Sequence, residues 1–198
     1  QIGKMLGCEN AVERVLQEEY ERVVARYQEL RAEFAKYKFC LIAHGIAYLP
    51  DALRVYQQDY GLPITKICII MNPSYQAETG LDDAMMQRFK DRIELAKAEY
   101  GCDAEILLEP SEDALREAAQ SCDFVICNGH PRYAALDVPV LYNLFDRSVW
   151  SYQGFVDIME EVWQMLQQPQ RTGSSLLLSK LAYDPVFYPM READKDSK

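Results

Sequence analysis

Five apolar, β-rich segments recur along this chain, at residues 39–43, 66–71, 104–108, 124–127 and 138–144, with helix-like stretches between them. A strand open to water on one face alternates apolar and polar side chains, whereas these segments run continuously apolar, so both faces need cover. Strands that alternate with helices in this way specify a parallel sheet flanked by helices on both sides.

The fold class read from the sequence is therefore α/β: a Rossmann-like doubly wound, mainly parallel five-stranded sheet, with a long N-terminal helix and an irregular C-terminal strap. At 198 residues and 49% hydrophobic content the chain has enough apolar material for one substantial core. The division expected is a helical extension over 1–37, the α/β domain over 38–168, and a strap with a disordered tail over 169–198.

The intervening helices are legible by their stops. One over 51–60 ends at Gly61, and one over 81–100 ends at Gly101, because glycine takes the left-handed conformation at little cost. Ser111 caps a third, which runs to Gln120 with acids in its first turn. Near the N-terminus, Asn10 and Glu13 have capping-box spacing ahead of an apolar stripe from Val12, Val15, Leu16 and Tyr20 to Leu30 and Phe34. Continued to Lys36, this helix is roughly 40 Å long at ~1.5 Å per residue, longer than a small sheet covers. Part of its stripe should meet either a missing domain or a second copy of the chain. A last amphipathic helix carries Phe155, Ile158, Met159, Val162 and Leu166 before Pro169, and the strap is the apolar, proline-interrupted segment 176–190.

The net charge of −10 and pI of about 4.7, with lysine and arginine scattered, argue against a nucleic-acid partner. No apolar run approaches the ~20 residues that span a bilayer, and no signal-peptide pattern opens the sequence. A cytoplasmic protein with no membrane partner is expected. Of the six cysteines, Cys40, Cys68 and Cys127 sit inside apolar segments and read as small buried hydrophobes. Cys8 and Cys102 have plausible exposure, and no CxxC pair marks a cluster site. Cys122 and Cys127 span a helix-to-strand joint, poor geometry for shared ligation.

A parallel sheet places its working groups just beyond the carboxyl ends of its strands. Here those exits hold His44-Gly45, Asn72-Pro73, Glu109-Pro110, Asn128-Gly129-His130 and the run from Asn143 to Arg147. The cofactor-binding candidates along this rim are His44, Asn72, Asn128, His130, Arg132, Asn143 and Asp146. A crevice needs a few directed polar groups in an apolar wall, but polar residues also end strands and cap the helices that follow. His130 reads equally as a turn residue, and Asp146-Arg147 as a structural pair. No catalytic residue and no metal ligand is assigned. Two histidines at separate turns give no nucleophilic triad, and Gly45 alone is not a dinucleotide fingerprint. A flavodoxin-like carrier would need a Ser/Thr-rich phosphate loop after the first strand, which this sequence lacks.

One ordered motif goes further. Asn128, Arg132-Tyr133, Val138-Pro139, Phe145-Asp146-Arg147 and Ser151-Tyr152-Gln153-Gly154-Phe155 follow one another over about 30 residues. In this order they resemble the C-terminal part of nitrogenase component 1 subunits and their relatives, the cofactor-assembly scaffolds and tetrapyrrole reductases. The resemblance implies the last of three similar α/β domains, forming one wall of a metal-cluster or tetrapyrrole site in an electron-transfer complex. It implies as partners the other domains of the same subunit, a second component 1-like subunit and an ATP-dependent iron-sulfur reductase, with a homodimer of the fragment as the alternative. An iron-sulfur or related cluster is implied for the full-length protein, and no cofactor in this piece alone, which should be inactive. Asn143 stands near the position where molybdenum-type subunits carry a cofactor-binding histidine, and an amide is no substitute for imidazole there. The spacer Ser148-Val149-Trp150 is also shorter than the histidine-bearing insert of cluster-holding subunits. The rival expectation is a stand-alone α/β domain that binds a small molecule or metal chelate at the same rim.

Overall fold

The computed structural model describes residues 2–45, 49–71, 80, 82–127, 133, 136–142 and 151–167. A short helix α1 (Ile2–Met5) leads into α2 (Glu9–Phe34), followed by β1 (Phe39–His44) and α3 (Leu49–Leu53). The last of these widens into π-helical turns over Arg54–Asp59. Then come β2 (Ile64–Ile70), α4 (Asp83–Glu99), β3 (Glu105–Leu108), α5 (Glu112–Gln120), β4 (Phe124–Cys127), β5 (Val140–Tyr142) and α6 (Tyr152–Gln167).

All five strands are parallel, in the order β3-β2-β1-β4-β5. The apolar segments thus do what their continuous character requires: β1 and β4, in the interior of the sheet, are buried along almost their whole length. Because side chains alternate across the pleat, each strand feeds two cores. Phe39, Leu41 and Ala43 of β1 join Ile67, Phe124 and Ile126 on the face covered by α2, α3, α4 and α6. Cys40 and Ile42 join Cys68, Val125 and Cys127 on the face covered by Leu115, Ala118 and Ala119 of α5. The first two crossovers lie on one face and the next on the other, as right-handed connections demand when strand order reverses between β1 and β4.

The first core is centred on aromatics. Phe39 meets Phe34 edge-on at 6.0 Å and Phe124 at 5.6 Å, and all three are fully buried, each contributing about 1.5–3 kcal/mol by area. Along the outside, α6 packs on α2 through a bidentate pair, Arg26 Nε donating to Glu160 Oε1 at 2.5 Å and Nη2 to Oε2 at 2.9 Å. Tyr60 stacks on Phe155 at 3.9 Å.

The helix stops behave as expected at Gly61 and Gly101, with φ of 71° and 63°, and Ser111 Oγ accepts from Ala114 N at 3.2 Å. The N-terminal cap does not. Helix α2 begins at Glu9 with Cys8 in the capping place and no side-chain cap, because Gly7 at φ 65° breaks the chain just before it. Asn10 therefore falls inside the first turn. Helix α4 starts later than expected, where Asp82 Oδ1 accepts from Met85 N at 2.7 Å.

The lower half of α2 is anchored by Val23, Leu30 and Phe34 in the first core. Its upper half is open: Val15 and Leu16 are 53% and 50% exposed, and the stripe continues through Met5, Leu6, Val12 and Tyr20. No helix among the described residues is long and apolar enough to cross a membrane. The strap 176–190 and the tail lie outside the described residues.

Candidate functional site

Parallel pairing brings the carboxyl ends of all five strands to one edge of the sheet, and the order reversal between β1 and β4 opens that edge at its centre. His44 is the last residue of β1 and stands at this point, partly buried. Gly45 follows at φ 100°, its N–H bonded to Ile70 O at 2.9 Å. This bond extends the β1–β2 ladder by one rung and turns the backbone away from the sheet through a conformation that glycine tolerates.

Beyond β4, Tyr133 is fully buried and packs in the second core, the cluster that holds Ile42, Cys127 and Leu136. Its hydroxyl lies 2.5 Å from His44 Nε2, and the rings meet edge-on with centroids 5.7 Å apart. A short bond to a buried phenol fixes the imidazole's orientation and engages Nε2, so that nitrogen is offered to a hydrogen-bond partner rather than to a metal while the pair is intact. Cys127, at the end of β4, is sealed, and burial alone pushes its thiol up to about 12. It is a neutral packing group and no nucleophile.

A second device ties the exits of β2 and β3. Glu109 sits at φ 49°, sterically costly for a side chain with a Cβ, with its own N–H on Ile69 O at 2.8 Å. That backbone turns the carboxylate back to accept from Met71 N at 2.5 Å, covering an amide that the ladder leaves open. This is a structural clamp at the rim's edge.

Of the rim candidates, His44 is the one described, and the structure brings it to Tyr133. Asn72, Asn128, His130, Arg132, Asn143 and Asp146 lie outside the described residues. Sequence reasoning passed over Tyr133 as a site residue, although it belongs to the Arg132-Tyr133 element of the ordered motif. Among the described residues no group of three or more His, Cys, Asp or Glu is placed to hold a metal ion. Cys102, expected near the surface, is instead 3% exposed, with Sγ donating to Ile64 O at 3.6 Å.

These features define the class: a parallel, doubly wound α/β domain whose switch point carries a histidine oriented by a buried tyrosine. No protein-family model matches the chain, and a search of curated proteins finds no match either.

Proposed function

We propose that this chain is the C-terminal Rossmann-like domain of a nitrogenase component 1-like oxidoreductase subunit, and that its rim forms one wall of a metal-cluster or tetrapyrrole site. The observation that carries the reading is the ordered motif from Asn128 to Phe155, which starts directly after β4 and contains β5, its parallel neighbour in the sheet. The exposed stripe of α2 adds support, since an apolar face continuous with a packed one suits further protein of the same subunit.

In this reading the wall contributes hydrogen bonding rather than ligation. His44 engages Tyr133 through Nε2, which fixes the ring at the point of the wall where the strand order reverses. The electrons and the ligands come from elsewhere in the complex. A metal cluster, when bound, supplies the redox chemistry.

The test is anaerobic purification of the natural full-length polypeptide with iron and acid-labile sulfide measured, alongside the same measurement on residues 1–198. Iron and sulfide with the full-length protein, and neither with the piece, is the expected result. A full-length protein free of both iron and tetrapyrrole would overturn it. The His44–Tyr133 pair also suits the second reading, a stand-alone binding domain, because it is complete within this chain. Under that reading the isolated piece binds a small anion or chelate at the rim, seen as shifts of the His44 ring resonances, and Tyr133→Phe weakens the binding.

A further inference from the structure

Helix α2 is longer than the sheet it covers, and its free end stands at the rim. Helix α6 begins at Tyr152, after β5, and ends where Gln167 Nε2 donates to Tyr37 Oη at 3.0 Å, next to the start of β1. It therefore runs from the carboxyl edge of the sheet back to the amino edge. Helix α2 lies along it in the same direction: Tyr20 meets Tyr152 edge-on at 5.8 Å, and Arg26 meets Glu160. Tyr20 thus marks the level of the rim, and the turns from Glu9 to Glu19 project past it by roughly 16 Å at ~1.5 Å per residue.

This projection carries an apolar stripe. Val12, Leu16 and Tyr20 recur at four-residue spacing with Val15 beside them, which places them on one face. Helix α1 folds over the top, where Cys8 N–H bonds to Gly3 O at 2.9 Å and a Cβ on Gly3 would meet Val12 Cγ2 at 3.1 Å. The stripe continues a packed seam, since Val23, Leu30 and Phe34 further down α2 are buried in the first core. A face that is covered over its lower turns and bare over its upper ones, with the same residue types throughout, marks an interaction surface.

The two edges of the stripe differ in charge. Beside Val15, Glu18 and Glu19 are already paired, with Arg14 at 3.9 Å and Arg22 at 3.2 Å. On the other edge Leu16 has Glu13 and Glu9 as neighbours, three and seven residues before it, and neither has an ion pair among the described residues. Carboxylates four residues apart on a helix repel each other, and closing an apolar surface over them unpaired adds the cost of desolvation. A cover for this stripe has to bring cations to that edge. A second copy of the chain would bring the same two acids, and with its Arg14 and Arg22 engaged it has Lys4 alone near the stripe to offer. The same acids turn away anionic lipid and nucleic acid.

We propose that the projecting half of α2 is the docking site for a basic amphipathic helix of another protein domain. The apolar side chains of that helix lie along Val12, Leu16 and Tyr20, and its lysine or arginine residues pair with Glu9 and Glu13. So docked, the partner stands beside the mouth of the rim. The proposal goes beyond the cluster reading and does not depend on what the rim holds, so its failure leaves that reading to the metal analysis.

The experiment titrates the full chain with three fluorescent peptides, followed by anisotropy at low and high salt. The first is a leucine-lysine helix with leucine at i, i+3, i+4 and i+7 spacing, the second replaces its lysines with glutamate, and the third scrambles the order of the first. The patterned basic peptide should bind one per chain, on the order of tenfold or more tighter than either control. Val12→Gln with Leu16→Gln should weaken it about tenfold. Glu9→Gln with Glu13→Gln should weaken it and flatten its salt dependence. All four side chains are exposed, so these variants should fold, and urea midpoints check that they do. Carbodiimide coupling, mapped by peptide mass spectrometry, should join Glu9 or Glu13 to a lysine of the peptide. Absent binding, equal binding of the scrambled peptide, unchanged binding in either double variant, or coupling confined to other carboxylates would each overturn the proposal. So would a stripe already filled, shown by coupling of Glu9 or Glu13 to Lys180 of the same chain, or by a dimer in light scattering that Val12→Gln with Leu16→Gln dissociates.

Discussion

His44 Nε2 and the Tyr133 hydroxyl stand 2.5 Å apart, across 89 residues of sequence, at the point where the strand order reverses. The bond joins the last residue of β1 to the segment beyond β4, so it both orients the ring and holds the two sides of the rim. Tyr133→Phe keeps the buried ring and removes the bond, and should cost about 1 kcal/mol. In a double-mutant cycle with His44→Gln, measured by urea denaturation, the coupling should be of similar size. Purely additive losses would mean that the contact contributes nothing.

Gly61 and Gly101 have nearly the same positive φ but different surroundings. A Cβ at Gly101 meets nothing within 4 Å, whereas one at Gly61 would lie 2.5 Å from Arg31 Cγ. Arg31 is held there by its bonds to Gln58 O at 2.6 Å and Tyr27 Oη at 2.6 Å. Gly101→Ala should therefore show only the left-handed strain, about 1–2 kcal/mol. Gly61→Ala should lose more, because Arg31 has to leave the carbonyls that end the π-helical turns. Equal midpoint shifts on thermal denaturation would contradict this account.

These helix stops were legible because the signal is local: a glycine after a periodic run has one common use. The strands were legible for a similar reason, since 39–43 and 124–127 are apolar at every position or nearly so, and only burial on both faces accommodates that. The capping-box spacing of Asn10 and Glu13 is not used, because Gly7 fixes the start of α2 earlier. Cys102 looked exposed between Gly101 and Asp103, but the chain turns it inward against Ile64 O. That Cys40, Cys68 and Cys122 share the core under α5 has no sequence signature at all. It arises from strand register and a bulge, and a search for CxxC spacing passes over it. Tyr133 meeting His44 is of the same kind, a consequence of β4 lying beside β1 rather than of any neighbouring residue.

The open half of α2 yields a prediction about the isolated chain. Val15 and Leu16 are about half exposed, so replacing both with Gln should change stability by no more than about 0.5 kcal/mol per site. If the stripe instead pairs with a second copy, the double variant should lower the apparent mass in solution and lose stability in a concentration-dependent way. Light scattering and denaturation at two protein concentrations separate these outcomes, and the first is expected.

Arg26 and Glu160 give the α2–α6 contact a dependence on pH. The guanidinium, also stacked 5.4 Å from the Trp163 ring centre, holds the Glu160 carboxyl below its ordinary value of 4.5. A carboxyl depressed in the folded state contributes stability that is complete above the unfolded value and is lost as pH falls through the lower, folded one. The side chains are 38% and 30% exposed, so solvent screening limits the pair to about 1 kcal/mol or less. Glu160→Gln should remove that amount at pH 7 and flatten the acid limb of the stability curve below pH 4.5. Glu29 also bonds Arg26, at 3.0 Å, but within α2 and 65% exposed. Glu29→Gln should leave the acid limb nearly unchanged, and urea midpoints of both variants against pH test the difference.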